Sequence, residues 1–441
     1  MNAQQTIAAI ENGKFNEIFT TLYGEENIPA QKVRYTNTVN EFAKLFGADR
    51  EISLFSVAGR SEISGNHTDH NYGKVLAASI NLDIIAVASP RGDMHINIKS
   101  EGFPIDEVDI TDPTVDENLY YTSKSIISGM CSGFLKYGHK VGGYDAYTTS
   151  NVFKGSGLSS SAAFEDMVGL ILNGFYNDGK VENAEIAKIA QYSENVFFGK
   201  PSGLMDQTAC AVGGFVAIDF KNPKEPVIEK LPFDLTAAGY SLCIVNTGGN
   251  HADLNEDYAS VPAEMKKVAS YFGKSVLREV TLDEIMANIP KLREFAGDRA
   301  IMRAIHFENE NERVTAQTEA LRKGDLDEFF KGVLASGDSS FKYLQNVYTV
   351  KNVSEQGLSL ALCVTENVLK GKKAAWRVHG GGHHPGVCQE RGRPDVQEGS
   401  RRSVRRGRGH DPQGPPLRRN PHRLIINAEK KEGQEKERSR L

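Results

Sequence analysis

Three short segments of this chain are dense in residues that could do chemistry. The first is Lys154-Gly155-Ser156-Gly157-Leu158-Ser159-Ser160-Ser161-Ala162-Ala163. A glycine- and serine-rich loop that opens a helix leaves backbone N–H groups without internal partners, at the helix end that carries partial positive charge. Such a loop suits an anion, phosphate above all. No Gly-Lys-Ser/Thr closes it, so it is not the common P-loop, and a plain serine-rich helix cap is the competing reading. The second segment runs from Gly59-Arg60-Ser61-Glu62 through Gly65-Asn66-His67-Thr68-Asp69-His70-Asn71 to Gly73-Lys74. Its directional donors and acceptors suit a sugar or polyol, or else a solvated polar loop. The third is Gly199-Lys200-Pro201-Ser202-Gly203-Leu204-Met205-Asp206-Gln207, with Glu194 shortly before it. Asp206 has apolar neighbours, where burial bears on its charge state; a cap or turn role is the alternative.

The elements that must position these segments alternate in the first half. Strands are predicted at 52–57, 80–88 and 145–152, and helices at 31–46, 121–137 and 184–198. The helix after the glycine-serine loop repeats Phe164, Met167, Val168, Ile171, Leu172 and Phe175 on one face, an amphipathic pattern. Strands at 213–220 and 240–246 follow, then helices at 252–271, 313–321, 326–334 and 355–369. A short strand at 374–379 leads into Gly380-Gly381-Gly382. This is an α+β pattern in two lobes, with the boundary near residue 220 and no internal repeat.

A chain of 441 residues has room for two or three domains with sizeable cores. Residues 1–12 are polar and mixed in charge, unlike a secretion signal, and no apolar run approaches the ~20 residues that span a bilayer. The five cysteines have no paired spacing, which argues against a disulfide framework or a zinc site. A cytoplasmic enzyme without a membrane partner is expected. The net charge of −5 is uneven: residues 383–441 hold 15 basic and 8 acidic residues, a balance of +7, which leaves −12 for residues 1–382. Nucleic acid is not an expected partner for so acidic a body.

Taken in order, the three segments and the glycine run at 380–382 resemble the galactokinase branch of the GHMP kinases, over about residues 30–382. The resemblance implies a two-lobed GHMP kinase fold. Its N-terminal lobe (1–220) would be ribosomal-protein-S5-like and its C-terminal lobe (221–382) an α/β sandwich, with sugar and ATP held between them. It implies ATP-dependent phosphorylation of galactose at the anomeric hydroxyl, with Mg²⁺ as the cofactor ion. Gly155, Ser156, Gly157, Leu158, Ser159, Ser160 and Ser161 match the loop that cradles the ATP phosphates. Ser161 and Glu194 match the metal-holding pair. Asp206 matches the catalytic aspartate, with Arg60 beside it stabilising the charge that develops. Asn66, His67, Asp69, Gly203 and Tyr258 match positions that contact the sugar. The active species is expected to be a monomer, with sugar and ATP as its partners. A kinase for galacturonate, arabinose or an N-acetylhexosamine is the alternative within the class; a non-catalytic sugar and ATP sensor is the alternative outside it.

Two departures from the pattern stand out. The family's Gly-Glu-His-Thr-Asp-Tyr is here Gly65-Asn66-His67-Thr68-Asp69-His70, so a neutral side chain replaces a sugar-binding carboxylate. After Gly382 the family's glycine motif breaks off into six prolines and an arginine cluster at 401–408. Codons for His384–Cys388 can be written CAT CCA GGC GTT TGT; one base along they read Ile-Gln-Ala-Phe, a typical family continuation. The stretch 403–408 can likewise encode Val-Phe-Gly-Glu-Gly. Residues 383–441 therefore read as an out-of-frame translation and a disordered basic tail. On that reading the cluster of His379, His383 and His384 is no metal site, and the arginine cluster is no nucleic-acid arm.

Overall fold

The computed structural model describes residues 1–152, 157–200, 202–245, 247, 255–379 and 384–390. Its contacts divide these into two compact units. The first holds residues 1–60 and 79–213; the second holds 61–78 and the chain from 214 onward. The division is discontinuous in sequence, where the pattern of elements leads one to expect a single boundary near residue 220.

In the first unit, helices α1 (Ala3–Glu11), α2 (Asn16–Tyr23) and α3 (Ile28–Phe46) precede strand β1 (Ser53–Ser64). Strands β2 (Lys74–Pro90), β3 (His95–Ser100) and β4 (Ile105–Asp109) follow, then α4 (Ser123–Lys136) and β5 (Tyr144–Ser150). Helices α5 (Ser160–Tyr176), α6 (Asn183–Tyr192) and α7 (Met205–Val212) complete it. The strand order is β4-β3-β5-β2, with β1 paired to β2. Strands β3 and β5 run parallel, and β2 pairs antiparallel to β5 from Ile84↔Ser150 to Pro90↔Tyr144. Phe19, Tyr35 and Phe42 of the first helices pack with Leu54, Ile85 and Val87 in one core. Helix α5 departs from the amphipathic expectation. It packs against α4, α6 and α7 and is buried from Ala162 to Asn173 with the one exception of Phe164, so even Glu165 and Asp166 lie inside.

β1 runs to Ser64 and is buried from Leu54 onward, seven residues beyond the expected strand end. Its charged residues mimic a loop in sequence, but each is buried with a charged partner: Arg60 meets Asp206, and in the second unit Glu62 lies 3.6 Å from Arg377.

In the second unit, residues 74–78 of β2 pair with β6 (Phe215–Asp219), which pairs with β7 (Val227–Leu231). Next come β8 (Tyr240–Ile244), α8 (Asn255–Tyr271), α9 (Leu282–Ala287), α10 (Ile289–Phe295) and α11 (Asp298–Lys323). Then follow α12 (Leu326–Ser339), α13 (Gly357–Leu369), β9 (Ala375–His379) and β10 (His384–Glu390). The second sheet has the order β8-β10-β9, antiparallel throughout. Residues 384–390, expected in a disordered tail, thus form a strand; Gly380-Gly381-Gly382 and 391–441 lie outside the described residues.

Candidate active site

Arg60 is 6% exposed near the end of β1, with Asp206 in the first turn of α7 as its partner. The guanidinium Nε donates to Asp206 Oδ1 at 2.9 Å, and a second nitrogen of the same group lies 2.7 Å from that oxygen. Its remaining terminal nitrogen donates to the carbonyl of Gly157 at 2.5 Å. One side chain therefore ties the carboxylate to the glycine-serine loop. The other Asp206 oxygen accepts from the Ser159 hydroxyl at 2.6 Å. Burial opposes charge on Asp206, but Arg60 and the Ser159 hydrogen bond outweigh it and hold the carboxyl below its usual range. Asp206 is an anion with both oxygens engaged, and 36% of its side chain remains accessible.

The loop is shaped to make this contact. Ser159 sits in the left-handed region at φ 59°, and its hydroxyl makes no cap for α5. The first N–H groups of α5 thus lack the side-chain acceptor that a serine at this position usually supplies. A Cβ on Gly59 would stand 2.8 Å from the Leu158 carbonyl, which itself accepts from the Arg60 N–H at 3.2 Å. Only glycine lets the loop lie this close to β1. Gly155 and Ser156 lie outside the described residues.

Behind Asp206 the expected metal ligand Glu194 lies among further buried carboxyls, Glu165 and Asp166, that the sequence does not single out. Gln207 donates to Glu194 Oε2 at 2.8 Å and to Glu165 Oε2 at 3.0 Å. Lys200 caps the other Glu194 oxygen at 2.8 Å, with half of its own side chain in solvent. Glu194 lies in a π turn (Ser193–Phe197), an irregularity common at functional sites. Burial and the nearby Glu194 charge push the Glu165 carboxyl well up, and burial does the same to Asp166, whose two oxygens have no partner. Glu165 is four residues after Ser161, hence on the same helix face; that spacing was the available signal. Ser161 itself is exposed. Gly203 is half-buried next to Ser202, whose N–H and carbonyl are held by Asn195 and Gln191.

The remaining predicted residues belong to the second unit. His67 has a left-handed backbone, φ 61°, and its ring stands 5.0 Å from that of Tyr258, edge-on. His70 completes a group of three rings, and its Nε2 is 3.7 Å from Asp69. Asn66 is placed differently from its neighbours. It is 1% exposed, its amide nitrogen donates to Ser340 at 3.1 Å, and its amide oxygen is buried without a hydrogen-bond partner among the described residues.

Residues 125–214 match the GHMP kinases N terminal domain, and residues 40–90 match the galactokinase galactose-binding signature. A galactokinase of Streptomyces coelicolor is 31% identical over 309 residues, covering 69% of this chain and 78% of that one. A galactokinase of Lactobacillus helveticus is 33% identical over 319 residues, covering 69% and 77%. The crystal structure of Lactococcus lactis galactokinase complexed with galactose superposes with a TM-score of 0.69 at 25% identity, covering 84% of this chain and 93% of that one.

Proposed function

The chain belongs to the galactokinase family of GHMP kinases, and from that premise we propose how its residues carry the reaction. The enzyme transfers the γ-phosphoryl group of ATP to the anomeric hydroxyl of galactose, giving galactose 1-phosphate and ADP. The observation that best supports a shared catalytic role is the double engagement of Arg60 with Asp206 and with Gly157 of the phosphate loop. Asp206 accepts the hydroxyl proton as the new oxygen–phosphorus bond forms and the bridge to the β-phosphate breaks. Held below the ordinary carboxylate range, it is a weak base, which suits a loose transition state in which the proton leaves late. Arg60 is placed to balance charge that builds on the transferring group.

The loop from Gly155 to Ser161 takes the ATP phosphates on the N–H groups of α5. Ser161 and Glu194 fit Mg²⁺: both offer hard oxygen, and Glu194 already pairs with the ammonium of Lys200. Among the described residues no group of three or more His, Cys, Asp or Glu side chains is set to hold a metal. When bound, the ion neutralises charge between the β and γ phosphates. His67, Asp69, Gly203 and Tyr258 contact the sugar, with Asn66 supporting the loop from within. We assign the enzyme to the cytoplasm on composition and take it as a monomer; no described helix is long and apolar enough to cross a membrane.

Asp206→Ala tests the assignment. Phosphate transfer should fall by at least about a thousandfold, while calorimetry shows galactose still binding within a few-fold of the parent. Near-normal turnover in that variant would falsify the role given to Asp206. A transfer screen with galactose, galacturonate, arabinose and N-acetylgalactosamine should show turnover of galactose foremost.

A further inference from the structure

The loop from Gly65 to Lys74 carries His67 and Asp69, and both of its ends are tied to one face of α11. At the first end, the Gly65 N–H donates to Glu310 Oε1 at 2.9 Å. The next carbonyl, that of Asn66, lies 2.9 Å from His306 Nε2. A carbonyl only accepts, so His306 carries its proton on Nε2. Its Nδ1 must then accept from the Ser339 hydroxyl at 2.8 Å. At the far end, the Lys74 N–H donates to Asn311 Oδ1 at 2.7 Å, and the Lys74 ammonium reaches Thr315 at 2.8 Å. The Thr68 hydroxyl lies 2.8 Å from the Gly65 carbonyl and 2.6 Å from that of Lys74, so its one proton is shared between acceptors at the two ends.

The helix side of this contact is built for it. His306 and Glu310 are one helical turn apart, and both are wholly buried. Ser336 of α12 also donates to Glu310, and Arg313 pairs with it, so the buried charge is met from several sides. The loop side is equally specific. A Cβ on Gly73 would stand 2.8 Å from both Asn311 Oδ1 and the Phe307 ring, so the close approach needs glycine there. Between the two ties the backbone adopts left-handed conformations at His67 and Tyr72, which isolated histidine and tyrosine disfavour.

We propose that His306, Glu310 and Asn311 form a clasp that sets sugar affinity by fixing the conformation of the loop. They are positioning residues, acting on galactose through His67 and Asp69, and the proposal rests on the galactokinase reading for its ligand. The hydrogen bonds of the clasp go to main-chain groups of the loop, with glycine needed at the close approach of residue 73.

The test uses the full chain with Asn311→Ala, which deletes the acceptor for Lys74, and Asn311→Asp, which keeps one. Asn311 is half-buried, so its truncation spares the core; thermal melts verify folding. Asn311→Ala should raise the galactose KM about five- to tenfold, with kcat and ATP KM within about twofold of the parent, and Asn311→Asp should restore it. His306→Gln, which retains a donor for the Asn66 carbonyl, should behave like Asn311→Asp. Hydrogen exchange at residues 65–74 gives a readout independent of any sugar: it should quicken in Asn311→Ala and return toward the parent in Asn311→Asp. An unchanged galactose KM with unchanged exchange overturns the clasp. So does an equal loss in galactose KM, ATP KM and kcat, the mark of general damage. A parent enzyme that ignores galactose but whose loop still loosens in Asn311→Ala sinks the substrate reading and leaves the clasp standing.

Discussion

At Asp206 two effects of opposite sign meet, and the balance decides how the enzyme responds to pH. Burial raises the carboxyl pKa, while Arg60 and Ser159 lower it further than burial raises it. Arg60→Met removes the nearest charge and leaves burial in command. The acid limb of kcat should therefore move to higher pH, together with a large fall in kcat itself; a pH–rate profile reads both. If the limb stayed in place while kcat fell, Arg60 would be acting only on the phosphate side. Lys200 poses a related question for the metal. Its ammonium is half exposed and competes for the Glu194 carboxylate. Lys200→Met should strengthen Mg²⁺ binding in the presence of ADP by roughly two- to fivefold, measured by calorimetry.

Close approach decides the behaviour of whole elements. Gly59→Ala would drive a methyl group into the Leu158 carbonyl, where backbone rather than a flexible side chain must yield. The expected result is a raised ATP KM and about 1–3 kcal/mol of lost stability, seen in steady-state kinetics and melting. Much of this was legible in sequence, because a glycine-serine loop before a helix and a dense polar run are local signals. The course of β1 past residue 57 was not: Arg60 and Glu62 look like loop residues until their partners Asp206 and Arg377 are known. Helix α11 was foreseen only at 313–321 although it spans Asp298–Lys323. Its buried His306, Glu310 and Gln317 break the apolar stripe that helix detection relies on. The clasp residues were hidden for the same reason. The motif marks Asn66 as a sugar ligand, and its burial beside Ser340, with the amide oxygen left unpartnered among the described residues, is a feature no local pattern signals.

Across the whole molecule, buried titratable groups shifted in opposite senses act on stability from opposite ends of the pH scale, and each of the two units holds an example. In the second, burial pushes the His306 imidazole from 6.5 down to about 3. The unfolded chain takes that proton first, so its contribution is full above about pH 6.5 and is lost as pH falls toward 3. In the first, Glu165 and Asp166 are pushed up, so the folded chain holds their protons longer, and stability is lost as pH rises through their folded values. Melting temperature should fall below about pH 6.5, and His306→Gln should flatten that acid slope. Asp166→Asn should flatten the alkaline one; the same slopes in both variants would contradict this division. The strand β10 has a consequence of another kind. From Gly386 to Cys388 it is paired on both flanks, by β8 and by β9, and Pro385 stands opposite Val378. A ladder of peptide groups tests for a free backbone and is blind to the message the side chains spell. On our reading of residues 383–441, a mistranslated segment occupies the middle of a sheet, with a proline and a glycine where neither is a good strand former. Such an error leaves Arg60 and Asp206 in register while weakening the unit that holds the sugar loop. Its signature is an enzyme that works when cool and fails early on heating. Recoding 383 onward in the neighbouring frame should raise the melting temperature by several degrees and change kcat little.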